Sequence, residues 1–153
     1  MREPPRGARS ARNFAVALGV LWTFPNSLLG LLVGLACMPW GARMVWLRRE
    51  CALGFRGMPH AGSGGALTLG NVILYSCHEL DTPCFTYAHR AGLREEACIS
   101  LADHERAHVY QYMVLGPLFL PLYVLCGGIS VRNRFERAAD RYALQRSGWW
   151  PWA

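Results

Sequence analysis

Five consecutive residues near the middle of the chain have the types and the spacing of a metal-dependent hydrolytic site. They are His104, Glu105, Arg106, Ala107 and His108, which together read HExxH. On a helix, side chains four positions apart lie on the same face, so both imidazoles can reach one Zn²⁺ while Glu105 lies beside the water that the metal binds. Short motifs also arise by chance, and the alternative is that these are ordinary polar side chains of a helix.

A candidate for a third ligand follows further along the chain. Glu136 and Asp140 are four residues apart in a segment predicted to form another helix, so both carboxylates lie on one face of it. Three protein ligands leave the fourth position of the metal to water, whose pKa zinc lowers towards about 7, and Glu105 can accept its proton. Carboxylates commonly orient zinc-binding imidazoles, a role open to Asp140 and, as a second choice, to Asp103.

With these residues the chain resembles the gluzincin metallopeptidases, in which a Glu on a later helix is the third ligand and an Asp follows four residues after it. It is most similar to the membrane-embedded CAAX prenyl protease and heat-shock membrane peptidase branch, whose second motif reads E-x-x-A-D. The resemblance implies that His104, His108 and Glu136 bind the metal, that Glu105 is the general base, and that Asp140 contacts a ligand histidine. It covers about forty of the 153 residues, and the chain is much shorter than those proteins, so it implies no substrate class.

Long uncharged stretches predict contact with a membrane. Hydrophobic residues make up 52% of the chain, its mean hydropathy is +0.12, and residues 14–40 contain no charged side chain. Such a run can cross a hydrocarbon core of about 30 Å, and the four arginines of residues 1–13 would form the basic flank of a retained anchor. Pro25 and Asn26 leave open whether the run is one kinked helix or a re-entrant hairpin of two short helices.

A second apolar run, residues 109–129, lies between the HExxH motif and Glu136. One straight spanning helix there would place Glu136 about 30 Å from His108, which is incompatible with a shared metal. Gly116-Pro117 and the later Gly-Gly pair predict a helical return instead. We expect helices over 93–115 and 133–146, a short apolar helix or loop over 118–125, and a metal site at or just above the membrane interface.

The middle of the chain predicts a small sheet. Residues 67–69 and 72–75 are apolar or β-branched and flank Gly70-Asn71, a pair that tolerates positive φ, so we expect a β-hairpin. Another extended piece is predicted over 84–88. The expected fold is therefore α+β, with a zincin-like arrangement in which an edge strand can pair with a peptide backbone or, alternatively, only covers the core.

Charge and cysteine content narrow the choice of partners. The net charge of +6 comes from sixteen arginines and no lysine, and suits anionic lipid headgroups. The arginines are scattered, with no stacking motif or recognition helix, so we do not expect nucleic-acid binding. No CxxC pair occurs among the six cysteines. Free thiols are favoured over two disulfides among Cys51, Cys77, Cys84 and Cys98.

These features predict a basic flank at 1–13, a membrane anchor at 14–40 and a small zincin-like domain at 41–153. The predicted function is a membrane-anchored, Zn²⁺-dependent metallopeptidase whose partners are a lipid membrane and a peptide or protein substrate. The alternative is a non-catalytic membrane protein with a structural or vestigial metal site that acts as a scaffold or binding partner. A basic membrane-surface adaptor is a third class. Residues 104–111 read HExxHxxQ, as in some small bacterial proteins, and the expected location is the bacterial inner membrane.

Overall fold

The computed structural model describes residues 6–60, 65–95 and 98–152, and these form a mixed α+β fold, which confirms the predicted class. The helices are α1 Arg6–Trp22, α2 Phe24–Cys37, α3 Tyr87–Arg90, α4 Leu101–Leu115, α5 Phe119–Leu125 and α6 Arg134–Gln145. The strands are β1 Arg43–Leu47, β2 Ala52–Arg56, β3 Ala66–Leu69, β4 Val72–Tyr75, β5 Pro83–Cys84 and β6 Ile99–Ser100. Of the predicted basic flank, residues 1–5 lie outside the described part of the chain and the remainder begins α1.

The main sheet has four strands in the order β1-β2-β4-β3. The predicted hairpin is present as β3 and β4, which are antiparallel, and Gly70 in its turn has a φ of +63°. The hairpin of β1 and β2 was not predicted from the sequence. Strand β2 then pairs parallel with β4, which leaves β3 at one edge of the sheet.

Local capping explains where the helices of the second half begin and end. The predicted helix over 93–115 begins only at Leu101, because Ser100 is extended and its hydroxyl accepts from the backbone N–H of Asp103. It ends as expected at Leu115, since Gly116 has a positive φ of +55°. Helix α6 matches the prediction over 133–146, with the Asn133 side chain capping its first turn. The extended piece predicted over 84–88 is present only in part: β5 ends at Cys84, Thr86 is still extended, and α3 begins at Tyr87.

Helix α4 lies between the sheet and α6, and it is buried on both sides. Towards the sheet, Val109 and Leu101 pack with Ile73 and other buried side chains of one apolar cluster. On the other side, the small side chain of Ala107 packs against Ala139 of α6. The chain returns from α4 through a 3₁₀ turn at Gly116–Leu118 and α5, so α6 can lie beside α4, as the helical return predicted.

Helices α1 and α2 meet at Thr23 with a bend of 69° and are attached to the rest of the fold at that bend. The Thr23 hydroxyl donates to Oδ1 of Asn71 at 2.5 Å, and the side-chain amide of Asn26 donates to the carbonyl of Gly116 at 3.0 Å. Further along α2, Gly34 lies against the ring of buried Phe55. The segment 14–40 therefore contributes to the same core as the sheet.

Length and composition identify two stretches apolar enough to cross a membrane. One is the continuous helical stretch Leu101–Leu125, and the other is the bent pair Phe14–Trp22 and Phe24–Trp40 if it is taken as one span.

Candidate metal site

Two histidines of α4 and one glutamate of α6 meet in the interior of the protein. Nε2 of His104 lies 3.2 Å from Nε2 of His108 and 3.2 Å from Oε2 of Glu136. The third side of this triangle, from Nε2 of His108 to Oε2 of Glu136, is 3.5 Å. All three residues are buried. The fold thus brings together three side chains that the sequence separates by up to 32 positions.

The spacing of these three atoms fits a small tetrahedral metal ion. Zinc holds imidazole nitrogens and carboxylate oxygens at about 2.0–2.1 Å, which puts neighbouring ligand atoms about 3.3–3.4 Å apart. The three distances in the triangle lie within about 0.2 Å of that value. Two histidines and one glutamate are also a ligand set found at catalytic zinc sites. The donors are therefore nearly in position for an ion.

In the absence of a metal, the pKa values of these three side chains are set by their burial and by the unlike charges that lie next to one another. Burial alone would raise the pKa of Glu136, but the adjacent imidazoles of His108 and His104 outweigh it and hold that pKa far below its ordinary range. Burial likewise lowers the pKa of His104, yet the carboxylates of Asp140 and Glu136 raise it well above its ordinary value overall. A metal ion would therefore displace protons from a site that already favours positive charge.

Asp140 orients the first histidine, at the position that the resemblance implies. Its Oδ1 lies 3.0 Å from Nδ1 of His104, and neither of these two buried atoms has a hydrogen-bond partner among the described residues, so they form a close ion-pair contact. Its Oδ2 accepts from the backbone N–H of Tyr87 at 2.9 Å. The unpredicted helix α3 thus helps to fix Asp140. Asp103, the second choice from the sequence, instead pairs with Arg106 and Arg146 and has no polar contact with His104 or His108 in the described part of the chain.

Gln111 orients the second histidine, a role that the sequence analysis missed. Its Oε1 lies 2.8 Å from Nδ1 of His108, and its Nε2 donates to the backbone carbonyls of Phe135 and Trp149. The side chain is fully buried. The signal was present in the sequence, because a residue three positions after His108 lies on the same helix face and Gln can accept from an imidazole N–H.

Glu105 lies on the sheet side of the triangle. It is buried, and its Oε2 accepts a hydrogen bond of 2.6 Å from the hydroxyl of Thr68 on the edge strand β3. Its other carboxylate oxygen has no hydrogen-bond partner among the residues that the structure describes. Glu105 is therefore fixed through one oxygen and can exchange a proton through the other.

A cavity of about 110 Å³ opens over His104, His108 and Glu136 and is lined by residues that include parts of α4, β3 and α5. Its walls are mostly apolar and include Leu67, Phe119, Leu120 and Ile129. Tyr123 also lines it, and its hydroxyl donates to Oε1 of Glu136, which holds that carboxylate from the side away from the histidines. No disulfide joins any of the six cysteines in the structure, and one of them, Cys84, is part of the cavity wall.

Comparison with protein-family models, with curated proteins and with solved structures finds no match to this chain. The resemblance to gluzincins therefore rests on the residues themselves and stays a prediction.

Proposed function

We propose that the protein is a zinc-dependent peptidase attached to a membrane, with His104, His108 and Glu136 as metal ligands and Glu105 as general base. The observation that carries the proposal is the convergence of the two histidines and Glu136 at spacings suited to one tetrahedral ion. Independent support comes from the polar partners behind both histidines, since zinc-binding imidazoles usually donate their other N–H to such a group.

A bound zinc ion would supply a Lewis acid and a coordinated water that ionises near neutral pH. Glu105 would be the general base, because its unpaired oxygen could accept a proton and return it to the leaving amine. Thr68 holds the other oxygen, so the carboxylate keeps one orientation while the proton moves. Tyr123 restrains Glu136 in the same way. The buried setting strengthens each of these interactions because little water screens them.

The edge position of β3 supports a peptide as the substrate, since no described strand pairs with its outer side. The carbonyl of Gly65 accepts from the N–H of Ser76, and hydrogen bonding to the neighbouring strand alternates along an antiparallel pair. Residues 67 and 69 therefore bond to β4, whereas the backbone groups of Ala66 and Thr68 point to the open edge. An extended peptide can add to that edge as a further strand, beside the base that Thr68 holds.

The cavity also bears on the non-catalytic alternative. Structural zinc sites usually have four protein ligands and are closed, whereas catalytic sites have three and an open position. Here three ligands line a cavity, and the described chain brings no fourth histidine, cysteine or carboxylate into the cluster. This arrangement favours catalysis over a purely structural metal.

Metal analysis and peptide cleavage test the proposal together. We expect purified wild-type protein to contain about one zinc per chain by mass spectrometry, and His104→Ala and Glu136→Ala to lose it. Glu105→Gln should retain zinc and lose cleavage of a mixed peptide library. The chain offers matched controls in exposed His78 and Glu79, so His78→Ala and Glu79→Gln should change neither readout.

Each failure has a distinct meaning. A cleavage rate unchanged in Glu105→Gln would exclude that residue as the base. Zinc retained in Glu136→Ala would remove the third ligand from the proposal. Bound zinc without cleavage of any peptide would support the structural metal site instead.

A further inference from the structure

The outward side of α1 and α2 carries large apolar side chains, while the side packed on the fold carries small ones. Gly19, Thr23, Asn26, Gly30 and Gly34 form the inward stripe, and a side chain added at Gly30 or Gly34 would collide with the sheet. The outward residues are between 40% and 74% exposed: Phe14, Leu18, Leu21, Phe24, Leu28, Leu29, Leu32, Leu35 and Trp40. We call this outward side the outer face.

The outer face has the pattern of a helix surface in contact with lipid. Helices of soluble proteins turn their large apolar side chains inward, whereas helices in a bilayer pack through small residues and present large apolar ones to hydrocarbon. A protein partner would require a rim of polar and charged side chains, but residues 14–40 carry no charge at all. These observations favour a bilayer over a protein as the occupant.

A second exposed apolar group continues the outer face. Val114, Leu118, Val124, Leu125 and Ile129 are 53% to 82% exposed and come from the end of α4, the 3₁₀ turn, α5 and the turn after it. The two groups adjoin, because the indole of Trp22 lies so close to Gly116 that any side chain there would collide with it. Exposed arginines then follow at positions 132, 134 and 137, where they can meet anionic headgroups.

The geometry of α1 and α2 disfavours a crossing of the whole bilayer. At 1.5 Å per residue, their 17 and 14 residues rise about 26 and 21 Å, and neither helix matches a core of about 30 Å. Straightening their bend into one span would break the hydrogen bonds of Thr23 and Asn26 to the rest of the fold. We propose that the outer face and the exposed side of α5 are buried together in one leaflet, and that the metal cavity opens at this buried surface.

The position of α5 connects this surface to the substrate, a step that rests on the proposed peptidase function. Phe119 and Leu120 line the cavity, while Leu118 and Leu125 of the same segment point outward. Ile129 does both, since it is 58% exposed and also part of the cavity wall. A peptide can therefore enter at the lipid–water boundary, and the substrate class is a peptide with bulky apolar side chains that partitions to that boundary.

Protease accessibility of terminal tags tests the single-leaflet geometry in sealed membrane vesicles from cells that express the full chain. We expect a tag before Met1 and a tag after Ala153 to be cleaved from the same side of the membrane. Tags cleaved from opposite sides would overturn the proposal in favour of a crossing span. Both results are read in Glu105→Gln, so they do not depend on catalysis.

Partition into vesicles of phosphatidylcholine and phosphatidylglycerol tests which surface is buried. Leu125→Asp should weaken partition about tenfold to a hundredfold, because a leucine side chain that inserts into lipid is lost and a charge must enter the leaflet instead. The matched control is Leu144→Asp, since Leu144 is an exposed leucine of α6 outside the surface, and it should partition as wild type does. Equal partition of both variants would overturn the role of α5. If the wild-type protein does not bind vesicles but forms a dimer, and Leu32→Asp makes it monomeric, then a second copy of the chain covers the outer face and the proposal is overturned.

Discussion

Removing the Gln111 amide should weaken metal binding although Gln111 does not touch the metal. Gln111→Met keeps the length and apolar volume of the side chain but removes both polar groups. His108 then loses the acceptor that lies 2.8 Å from its Nδ1 and holds Nε2 towards the other ligands. Loss of such an orienting partner typically lowers metal affinity tenfold to a hundredfold, which corresponds to about 1.4–2.8 kcal/mol.

The same substitution should destabilise the metal-free protein. The carbonyls of Phe135 and Trp149 lose their donor, and a buried polar group left without a partner costs about 1–3 kcal/mol. For the two carbonyls together we expect a loss of about 2–4 kcal/mol in the free energy of unfolding, less than twice the largest cost of one group because a small relaxation can restore part of their hydrogen bonding. That is a large part of the 5–15 kcal/mol typical of a domain.

Two measurements separate these effects. Competition with a chromophoric chelator gives the zinc affinity, and urea unfolding with excess chelator gives the stability of the metal-free chain. Gln111→Glu retains an oxygen acceptor for His108 and should recover most of the affinity. Gln145→Met makes the same change at an exposed position of α6 and should alter neither quantity. Wild-type zinc affinity in Gln111→Met would refute the orienting role of this residue.

Three further outcomes follow from the structure. Asp140→Asn should weaken zinc binding about tenfold by removing the charge beside Nδ1 of His104, and the chelator competition should detect it. The pKa of His104 is raised in the metal-free protein, so protonated His104 stabilises that protein against unfolding. This contribution is fully present below about pH 6.5 and is lost as the pH rises through the raised pKa. Zinc requires the neutral imidazole, so the free energy of unfolding measured with zinc should instead rise with pH between about pH 6 and 8.5. Parallel pH trends with and without zinc would contradict this reasoning. Gly34→Ala should destabilise the fold by about 1–3 kcal/mol in urea unfolding, because the new Cβ would lie 2.3 Å from the ring of Phe55; a neutral effect would mean that this contact can relax.

The helical elements that position the candidate site were largely predictable, because their signals are local. Gly116 ends α4 and Asn133 begins α6, and each acts on backbone groups within one turn of itself. The hairpin at Gly70-Asn71 is equally local. The start of α4 was misplaced by eight residues because Ser100, its real N-cap, was not recognised among other polar residues.

Partners distant in the sequence were not predictable in the same way. Thr68 holds Glu105 from 37 positions away, and Asn71 holds Thr23 from 48 positions away, and no spacing rule specifies either contact. Strands β1 and β2 were missed because their arginines suit a membrane flank as well as the surface of a sheet. Residues 14–40 were recognised as apolar, but the composition does not reveal which side packs inward.

The sequence by itself determined the donor types of the candidate site and their register on two helices, since the four-residue repeat of a helix sets which side chains share a face. Only the tertiary structure decided that the two helices lie side by side, that Gln111 and Asp140 stand behind the two histidines, and that the small side of α1 and α2 packs inward. These outcomes depend on how several apolar surfaces are buried at once, and that is a property of the whole chain rather than of any segment.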